Sequence, residues 1–443
     1  MNRVAGGRSS TGVYPPSVAP LPPGWPRRSG RDRLVDWLAR PVVLRPVFSV
    51  LRQVAPVLTL GRRVIVSRHA DVVDVLRRDQ DFTVAEVNAP SMNRWSGPFI
   101  LGTDRGETYD REAAVLRRAA PTEDLPSVRR LVAATANELV ATALPTGRLD
   151  VVNGLARPAA ARTVATYFGV PGPDPATLMR WMRALFDAVF LDSSPRANKV
   201  AERTVAEQRP YMEQLIRSRR AALDAGEPVP DDVLTRLVAM GRDEPWLDDD
   251  AVRRSINGVI VGAVDTTSKS VAQVVDELLR RPMALDGARR AALDGNLDLV
   301  RAYAWEALRF LPHAPLLQRA SRGAPVGGRT KPVPAGKVVL VSVLSAMFDP
   351  VAFPHPRGFR PDRPEEGYLH FGHGMHTCFG LGVNRVQIPE LVAAVVALPG
   401  LRRAPGGEGK LVFDGPFPDR LLVEFDAADA GLAAAADQEG AVR

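Results

Sequence analysis

The sequence predicts a mainly α-helical protein with a minor β region, folded as a single domain. Apolar periodicities typical of helices recur along the 443 residues, whereas strand-like segments are few and short. Between the two ends of the chain, no linker or repeat divides it, and an apolar content of 45% can fill one large core. We therefore expect one domain over 31–428, preceded by a disordered Pro-rich arm at 1–30 and followed by a disordered tail at 429–443.

The predicted secondary structure consists of a few short strands and several long helices. Strands are predicted at 61–68, 337–343 and 420–425. Helices are predicted at 69–78, 126–143, 174–190, 198–224, 249–281, 297–311 and 384–398. The segment 82–102 is expected to be a loop that caps a ligand pocket. The segment 249–281 is the longest predicted helix, about 50 Å long, with aspartates at its start and Pro282 at its end.

Charge and composition narrow the classes of function. The net charge is +8, mostly from arginine, but no Lys/Arg block with interleaved aromatic residues indicates nucleic-acid binding. The most apolar early segment, 37–60, is interrupted by arginines and prolines, so no membrane span is expected. A single cysteine excludes an intramolecular disulfide. We expect a soluble, cytoplasmic protein.

The centre of the predicted helix 249–281 has an unusual composition. It reads Gly262-Ala263-Val264-Asp265-Thr266-Thr267, and glycine, aspartate and threonine are all weak helix formers. Thr266 lies four residues after Gly262, so its hydroxyl can bond the Gly262 carbonyl and loosen the helix. The small residues leave a notch where a ligand could lie beside a hydroxyl and a carboxylate. A packing kink with a satisfied threonine explains the same residues.

The only cysteine, Cys378, lies in a glycine-rich run from Phe371 to Gly382. Three interpretations are open. The thiol can be a small buried apolar group; it can join nearby histidines in a zinc site; or its thiolate can ligate a haem iron. The candidate zinc ligands are His370, His373 and His376, but Gly372 and Gly374 argue against the helix that their spacing would need.

The cysteine run closely resembles the ligand loop of the cytochromes P450, Phe-Gly-x-Gly-x-His-x-Cys-x-Gly, at every fixed position. Three further motifs of that family occur in the expected order, and together they cover roughly residues 30–428. The segment 262–267 is similar to the oxygen-binding segment, with Ala263 in place of a glycine. Glu306 and Arg309 match E-x-x-R, and Arg363 lies in the arginine- and proline-rich segment that follows.

The resemblance implies a site for haem b, iron protoporphyrin IX. Cys378 would be the axial ligand of the iron, and Arg319 and His376 would bind the propionates. Arg117 would supply a third propionate contact, because Tyr109-Asp110-Arg111 lacks the histidine usual in the family. Residues implied to lie against the cofactor are Phe371, Gly372, Gly380, Gly262 and Ala263. Glu306, Arg309 and Arg363 would brace the cysteine loop.

The resemblance also implies an activity, namely insertion of one oxygen atom of O2 into a C–H or C=C bond of a small apolar molecule, in secondary metabolism. Asp265 and Thr266 would deliver protons. Electrons from NAD(P)H would arrive through external partners such as a ferredoxin and its reductase. A haem-thiolate peroxygenase, a hydroperoxide isomerase and a non-catalytic haem-binding protein remain alternatives.

One departure from the family pattern carries its own structural prediction. Pro389 lies inside the predicted helix 384–398. Proline lacks the N–H that would bond the carbonyl of Arg385 and clashes with that carbonyl. We therefore expect a kink or an irregular start near 385–389.

Overall fold

The computed structural model describes residues 41–191 and 194–427. The predicted arm 1–30 and tail 429–443 lie outside this range. The helices are α1 (Pro41–Val54), α2 (His69–Arg77), α3 (Ala85–Trp95), α4 (Glu107–Ala119), α5 (Leu125–Ala141), α6 (Arg157–Thr166), α7 (Pro175–Phe186), α8 (Pro195–Asp224), α9 (Val233–Met240), α10 (Asp249–Ile260), α11 (Val264–Leu278), α12 (Pro282–Leu293), α13 (Leu297–Phe310), α14 (Val343–Ala346) and α15 (Leu381–Val396).

Within the residues that the structure describes, ten short strands form three small sheets. They are β1 (Val57–Leu60), β2 (Arg63–Val66), β3 (Phe82–Thr83), β4 (Arg148–Asp150), β5 (Leu317–Ser321), β6 (Val338–Val341), β7 (Arg402–Arg403), β8 (Val412–Asp414), β9 (Phe417–Arg420) and β10 (Leu422–Glu424). The largest sheet has the order β1-β2-β6-β5-β3, and only its β2–β6 pair is parallel. The others are β4-β10-β7 and the hairpin β8-β9. The predicted mainly helical class is confirmed.

Helix α11 lies at the centre of the main core. Every residue of this helix except Thr266 is buried, because other elements of the protein cover both its apolar and its polar faces. It packs against α6, α13 and α15. In the described part of the chain, no helix has both the length and the apolar character that crossing a bilayer requires.

The predicted helix 249–281 is wrong as a single element. It is broken at residues 261–263 into α10 and α11, and Pro282 begins α12. The break has the predicted cause, because the Thr266 hydroxyl donates to the carbonyl of Gly262 and competes with the helical bond there. The longest described helix is α8, with 30 residues. The expected loop 82–102 contains β3 and the helix α3.

The helix is not interrupted near 385–389, where the sequence predicts a kink or an irregular start. Helix α15 runs without a break from Leu381 to Val396, with Pro389 inside it. The buried face of α15, which includes Ile388, Pro389 and Leu391, packs against α5 and α13. This packing holds the helix together across the one hydrogen bond that proline removes.

Candidate active site

A cavity of about 1470 Å³ lies between α11 and the cysteine loop, residues 371–380. Its lining includes Gly262, Ala263 and Thr266 on one side and Phe371, Gly372, Cys378 and Gly380 on the other. Ligand pockets commonly measure about 300–1,000 Å³, so this cavity has room for a flat cofactor and a substrate together. The two sequence motifs, more than a hundred residues apart, therefore meet at one site.

The cysteine loop holds its thiol toward the cavity. Gly372 and Gly374 adopt φ values of +78° and +74°, which glycine tolerates best. The N–H of Cys378 donates to the carbonyl of Phe371 at 2.8 Å. The thiol lies deep in the protein but is exposed to the cavity. Burial raises the pKa of this thiol, and the N–H of Gly380 partly opposes the rise.

The three histidines near Cys378 point to different neighbours. The ring of His370 packs edge-on against Trp305, and His373 accepts a hydrogen bond from Arg77 at 2.8 Å. The ring of His376 contacts Tyr109. Among residues 41–191 and 194–427, no three side chains of the types that bind zinc converge on a common point. The zinc interpretation therefore has no geometric support.

The break between α10 and α11 opens onto the cavity. A Cβ added at Gly262 would meet no atom within 4 Å, so this residue forms a notch in the wall. Because the Thr266 hydroxyl donates its proton to the Gly262 carbonyl, its oxygen can accept a hydrogen bond from the cavity side. Thr267 donates to the side chain of Asn384 at 3.0 Å, and Asn384 donates to the carbonyl of Gly380. This chain of bonds fixes α11 relative to the cysteine loop.

Asp265 is buried behind the cavity wall between two arginines. Arg183 donates twice to its Oδ1, at 3.0 and 2.8 Å, and the Nε of Arg157 lies 3.1 Å from the same oxygen. The other oxygen, Oδ2, has no hydrogen-bond partner among the described residues. Burial raises the pKa of this carboxyl, but the two guanidiniums outweigh burial and hold the pKa below its usual value. Asp265 is thus a buried carboxylate with one free acceptor oxygen.

A buried arginine and a neutral histidine line the cavity beside the cysteine loop. Arg319 is 6% exposed and donates only to the carbonyl of Gln318, and it forms no ion pair with a described residue. Burial lowers the pKa of Arg319 to about 10 and that of His376 to about 4. The Nδ1 of His376 is buried without a partner. Both groups can therefore take up carboxylates that the protein itself does not supply.

The structure places Arg117 outside the cavity, so its expected contact with the cofactor remains a prediction. Its side chain is exposed and is not part of the cavity lining, and its guanidinium interacts with the hydroxyl of Tyr109. Tyr109 lies on the same helix, α4, and contacts the cysteine loop. Its hydroxyl donates to the carbonyl of Met375 at 2.7 Å and its ring contacts His376. The contact from α4 to the cysteine loop is therefore a tyrosine that binds backbone.

The predicted brace is assembled around Glu306. Arg309 donates to both carboxylate oxygens at 2.8 Å, and both residues are completely buried. Arg363 adds a weaker contact at 3.4 Å, and the hydroxyl of Tyr368 donates at 2.9 Å. Arg309 also donates to three backbone carbonyls, those of Met347, Pro356 and Gly358. The cluster ties α13 to the segment that leads into the cysteine loop.

These observations fit a haem. The cavity combines one thiol, glycine-lined walls that allow a flat ring to approach the backbone, and two side chains, Arg319 and His376, that can donate hydrogen bonds to carboxylates.

Sequence reasoning missed Arg157 and Arg183, because no local pattern identifies an arginine as the partner of an aspartate about a hundred residues away. It also missed Lys269 and His313, although a lone lysine in a long helix that the sequence predicts to be buried is a signal for such a site.

A family model described as Cytochrome P450 matches residues 62–397, about three quarters of the chain. The cytochrome P450 monooxygenase PikC of Streptomyces venezuelae is 30% identical over 274 residues, which is 61% of this chain and 61% of PikC. The erythromycin C-12 hydroxylase of Saccharopolyspora erythraea is 28% identical over 383 residues, covering 83% of this chain and 88% of that protein. The crystal structure of CalO2 matches with a TM-score of 0.75 at 24% identity, over 86% of this chain and 96% of CalO2, and supports the fold.

Proposed function

The chain belongs to the cytochrome P450 family, and from that premise we propose that it is a haem-thiolate monooxygenase. It would insert one oxygen atom of O2 into a C–H or C=C bond of a small, largely apolar molecule. The single observation that carries the proposal is the meeting of Cys378, Thr266 and the Arg319–His376 pair around one cavity. The names of the similar proteins, a monooxygenase and a hydroxylase, support the reaction class.

In this proposal the haem is held by residues of both cavity walls. Cys378 would ligate the iron as thiolate, since metal coordination deprotonates a thiol outright. Arg319 and His376 would bind the propionates, and the residues that would line the haem are Phe371, Gly372, Gly380, Gly262 and Ala263. The bound haem-thiolate group supplies the chemistry of O2 activation. Glu306, Arg309 and Arg363 have a structural role, because they hold the segment that leads into the loop.

Thr266 and Asp265 would serve proton delivery. Thr266 faces the cavity with an oxygen that can accept a hydrogen bond, and Asp265 lies behind it with Oδ2 free. Asp265 does not line the cavity. It would therefore relay protons by loosening its contacts with Arg157 and Arg183, and not by direct contact with the substrate. The pair is of use to an enzyme that activates O2, which favours this reaction over peroxide-driven chemistry.

The electrons would come from NAD(P)H through a separate ferredoxin and its reductase. The chain has one cysteine, too few to hold an iron–sulfur cluster of its own. An acidic ferredoxin would meet basic residues beside the cysteine loop. Arg77 is exposed and bonds His373 of that loop, and Arg117 is exposed beside Tyr109. A cytoplasmic location and a role in secondary metabolism are proposed with the same function.

Charge reversal at Arg117 is expected to slow electron transfer. In Arg117→Glu, the rate of reduction by an acidic ferredoxin should fall about tenfold at low salt, because a like charge opposes docking. Stopped-flow reduction measures the rate, and the difference should shrink at high salt. The control is Arg62→Glu, an exposed arginine next to β2. Equal rates for both variants would exclude Arg117 from the docking surface.

The proposal is tested by supplying the purified protein with NADPH, a surrogate ferredoxin and its reductase, and a panel of apolar compounds under ¹⁸O2. A product that contains one ¹⁸O atom, formed only with the complete electron chain, is expected. Product formed with hydrogen peroxide alone, and none with O2, would replace the monooxygenase with a peroxygenase. The same outcome in Thr266→Ala as in the unaltered protein would remove the proton-delivery role.

A further inference from the structure

The cavity is lined by a buried lysine that forms no ion pair with a described residue. Lys269 lies on α11 three residues after Thr266 and lines the same cavity. It is 8% exposed. The other four lysines of the chain, at 199, 331, 337 and 410, are exposed or half-buried. A buried lysine is normally paired with an acidic group, because an isolated ammonium is costly to desolvate.

The contacts of Lys269 leave most of its hydrogen-bonding capacity unused. Its Nζ donates to the backbone carbonyl of His313 at 2.8 Å, and an ammonium has two more protons to donate. In the part of the chain that the structure describes, it forms no other hydrogen bond and no ion pair. Burial alone lowers its pKa, to about 8, and no neighbouring carboxylate opposes this. Lys269 is thus still mainly protonated at neutral pH.

A second unpartnered group lies beside it. His313 also lines the cavity, and its Nδ1 is buried without a hydrogen-bond partner. Burial and the nearby charge of Lys269 hold the pKa of His313 well below its usual value, so the ring is neutral. A neutral imidazole can carry its proton on Nδ1 and donate it. Lys269 and His313 together therefore offer hydrogen-bond donors to the cavity and one positive charge.

The rest of the cavity wall indicates the chemical character of the ligand that would supply a negative charge to Lys269. Phe99, Leu101, Phe186, Phe190, Val259 and Leu316 line it with apolar surface. The carboxylates of a bound haem already have Arg319 and His376, so Lys269 is left for another ligand. Three more arginines of the lining already have partners: Arg280 and Arg281 pair with Asp276 and Glu277, and Arg45 donates to the carbonyl of Phe310. The one remaining cation, with one neutral donor beside it, suits a single negative charge, whereas a phosphate dianion would call for more cations.

We propose that the substrate is an apolar molecule bearing a carboxylate, which Lys269 binds as an ion pair and His313 supports with a hydrogen bond. This inference rests on the proposed function, because it places the acid in the same cavity as the reacting centre. Lys269 is then a specificity-determining residue. Its position one helical turn beyond Thr266 orients the molecule along α11. Neutral analogues of the same shape would leave the ammonium unpaired and bind less tightly.

The test compares acids with their methyl esters on the haem-loaded protein. The probes are dodecanoate and 4-phenylbutanoate, each with its methyl ester, and binding is measured by isothermal titration calorimetry. We expect at least one acid to bind about 10- to 100-fold more tightly than its ester, as for a hydrogen bond to a charged group. Lys269→Met should remove this preference without weakening the ester.

Two further variants show whether a lost preference for the acid comes from the lost charge or from misfolding. Lys269→Arg should retain the preference for the acid, and Lys331→Met, at an exposed lysine, should behave like the unaltered protein. Thermal unfolding checks that each variant is folded. Esters that bind as tightly as both acids, a preference that survives in Lys269→Met, or no binding of either acid would overturn the inference.

Failure of the carboxylate inference can be distinguished from failure of the monooxygenase proposal. Calorimetry does not depend on turnover, and the haem absorption spectrum is recorded on the same samples. A thiolate-ligated haem without any preference for acids would remove the role of Lys269 and leave the monooxygenase proposal standing. A protein that binds acids through Lys269 but carries no haem would remove the monooxygenase proposal instead.

Discussion

Replacement of Glu306 by alanine is expected to destabilise the folded protein by about 3–5 kcal/mol, the cost of breaking a buried ion pair from one side. The variant leaves the guanidinium of Arg309 completely buried without its charge partner. It also removes the acceptor for Tyr368 and for the N–H of Arg360. Because these contacts hold the segment that leads into the cysteine loop, haem content should fall with stability.

Urea unfolding followed by tryptophan fluorescence measures this change, and the same helix provides its control. Asp298 forms an ion pair with Arg301 on α13, but its side chain is 85% exposed. Asp298→Asn should cost less than about 1 kcal/mol, as surface pairs do. A loss in Glu306→Ala no larger than that of the control would show that the cluster does not brace the fold.

Replacement of Asp265 by asparagine is expected to slow turnover by about 10²-fold or more, the usual contribution of a general acid or base. Asparagine keeps the size and one acceptor oxygen, but it cannot take up and release a proton in the working pH range. The solvent deuterium isotope effect on turnover should rise, because proton transfer becomes rate-limiting. The spectrum of the reduced carbon monoxide complex should be unchanged.

The control for Asp265→Asn separates chemistry from stability. Asp232 is 2% exposed and binds Arg219 at 2.7 Å, and it is not part of the cavity lining. Asp232→Asn should lower stability by a comparable amount, with turnover and isotope effect preserved. Normal turnover of Asp265→Asn with an unaltered isotope effect would exclude Asp265 from proton delivery.

The sequence predicted those parts of the site whose structure depends on short, continuous segments of the chain. The cysteine loop, the loosened helix at Gly262 and Thr266, and the Glu306–Arg309 pair each lie within a dozen consecutive residues. Their physical causes are local too, namely positive φ at glycine, competition of a hydroxyl for a helical carbonyl, and side chains three apart on one helix face.

The remainder depends on tertiary packing, which local patterns do not encode. Arg157 and Arg183 reach Asp265 because α6 and α7 pack beside α11, and no spacing indicates this. The helix through Pro389 stays continuous because its neighbours hold it, against the local preference of proline. The contact of Tyr109 with the cysteine loop is likewise set by the packing of α4, and no sequence pattern indicates it.

The central claim is that Cys378 carries a thiolate-ligated haem, and the carbon monoxide difference spectrum of the reduced, purified protein tests it most directly. The expected result is the red-shifted Soret band of thiolate ligation, which disappears in Cys378→Ala. A band of nitrogen-ligated haem, a band that persists in Cys378→Ala, or a protein that binds no haem would contradict the claim.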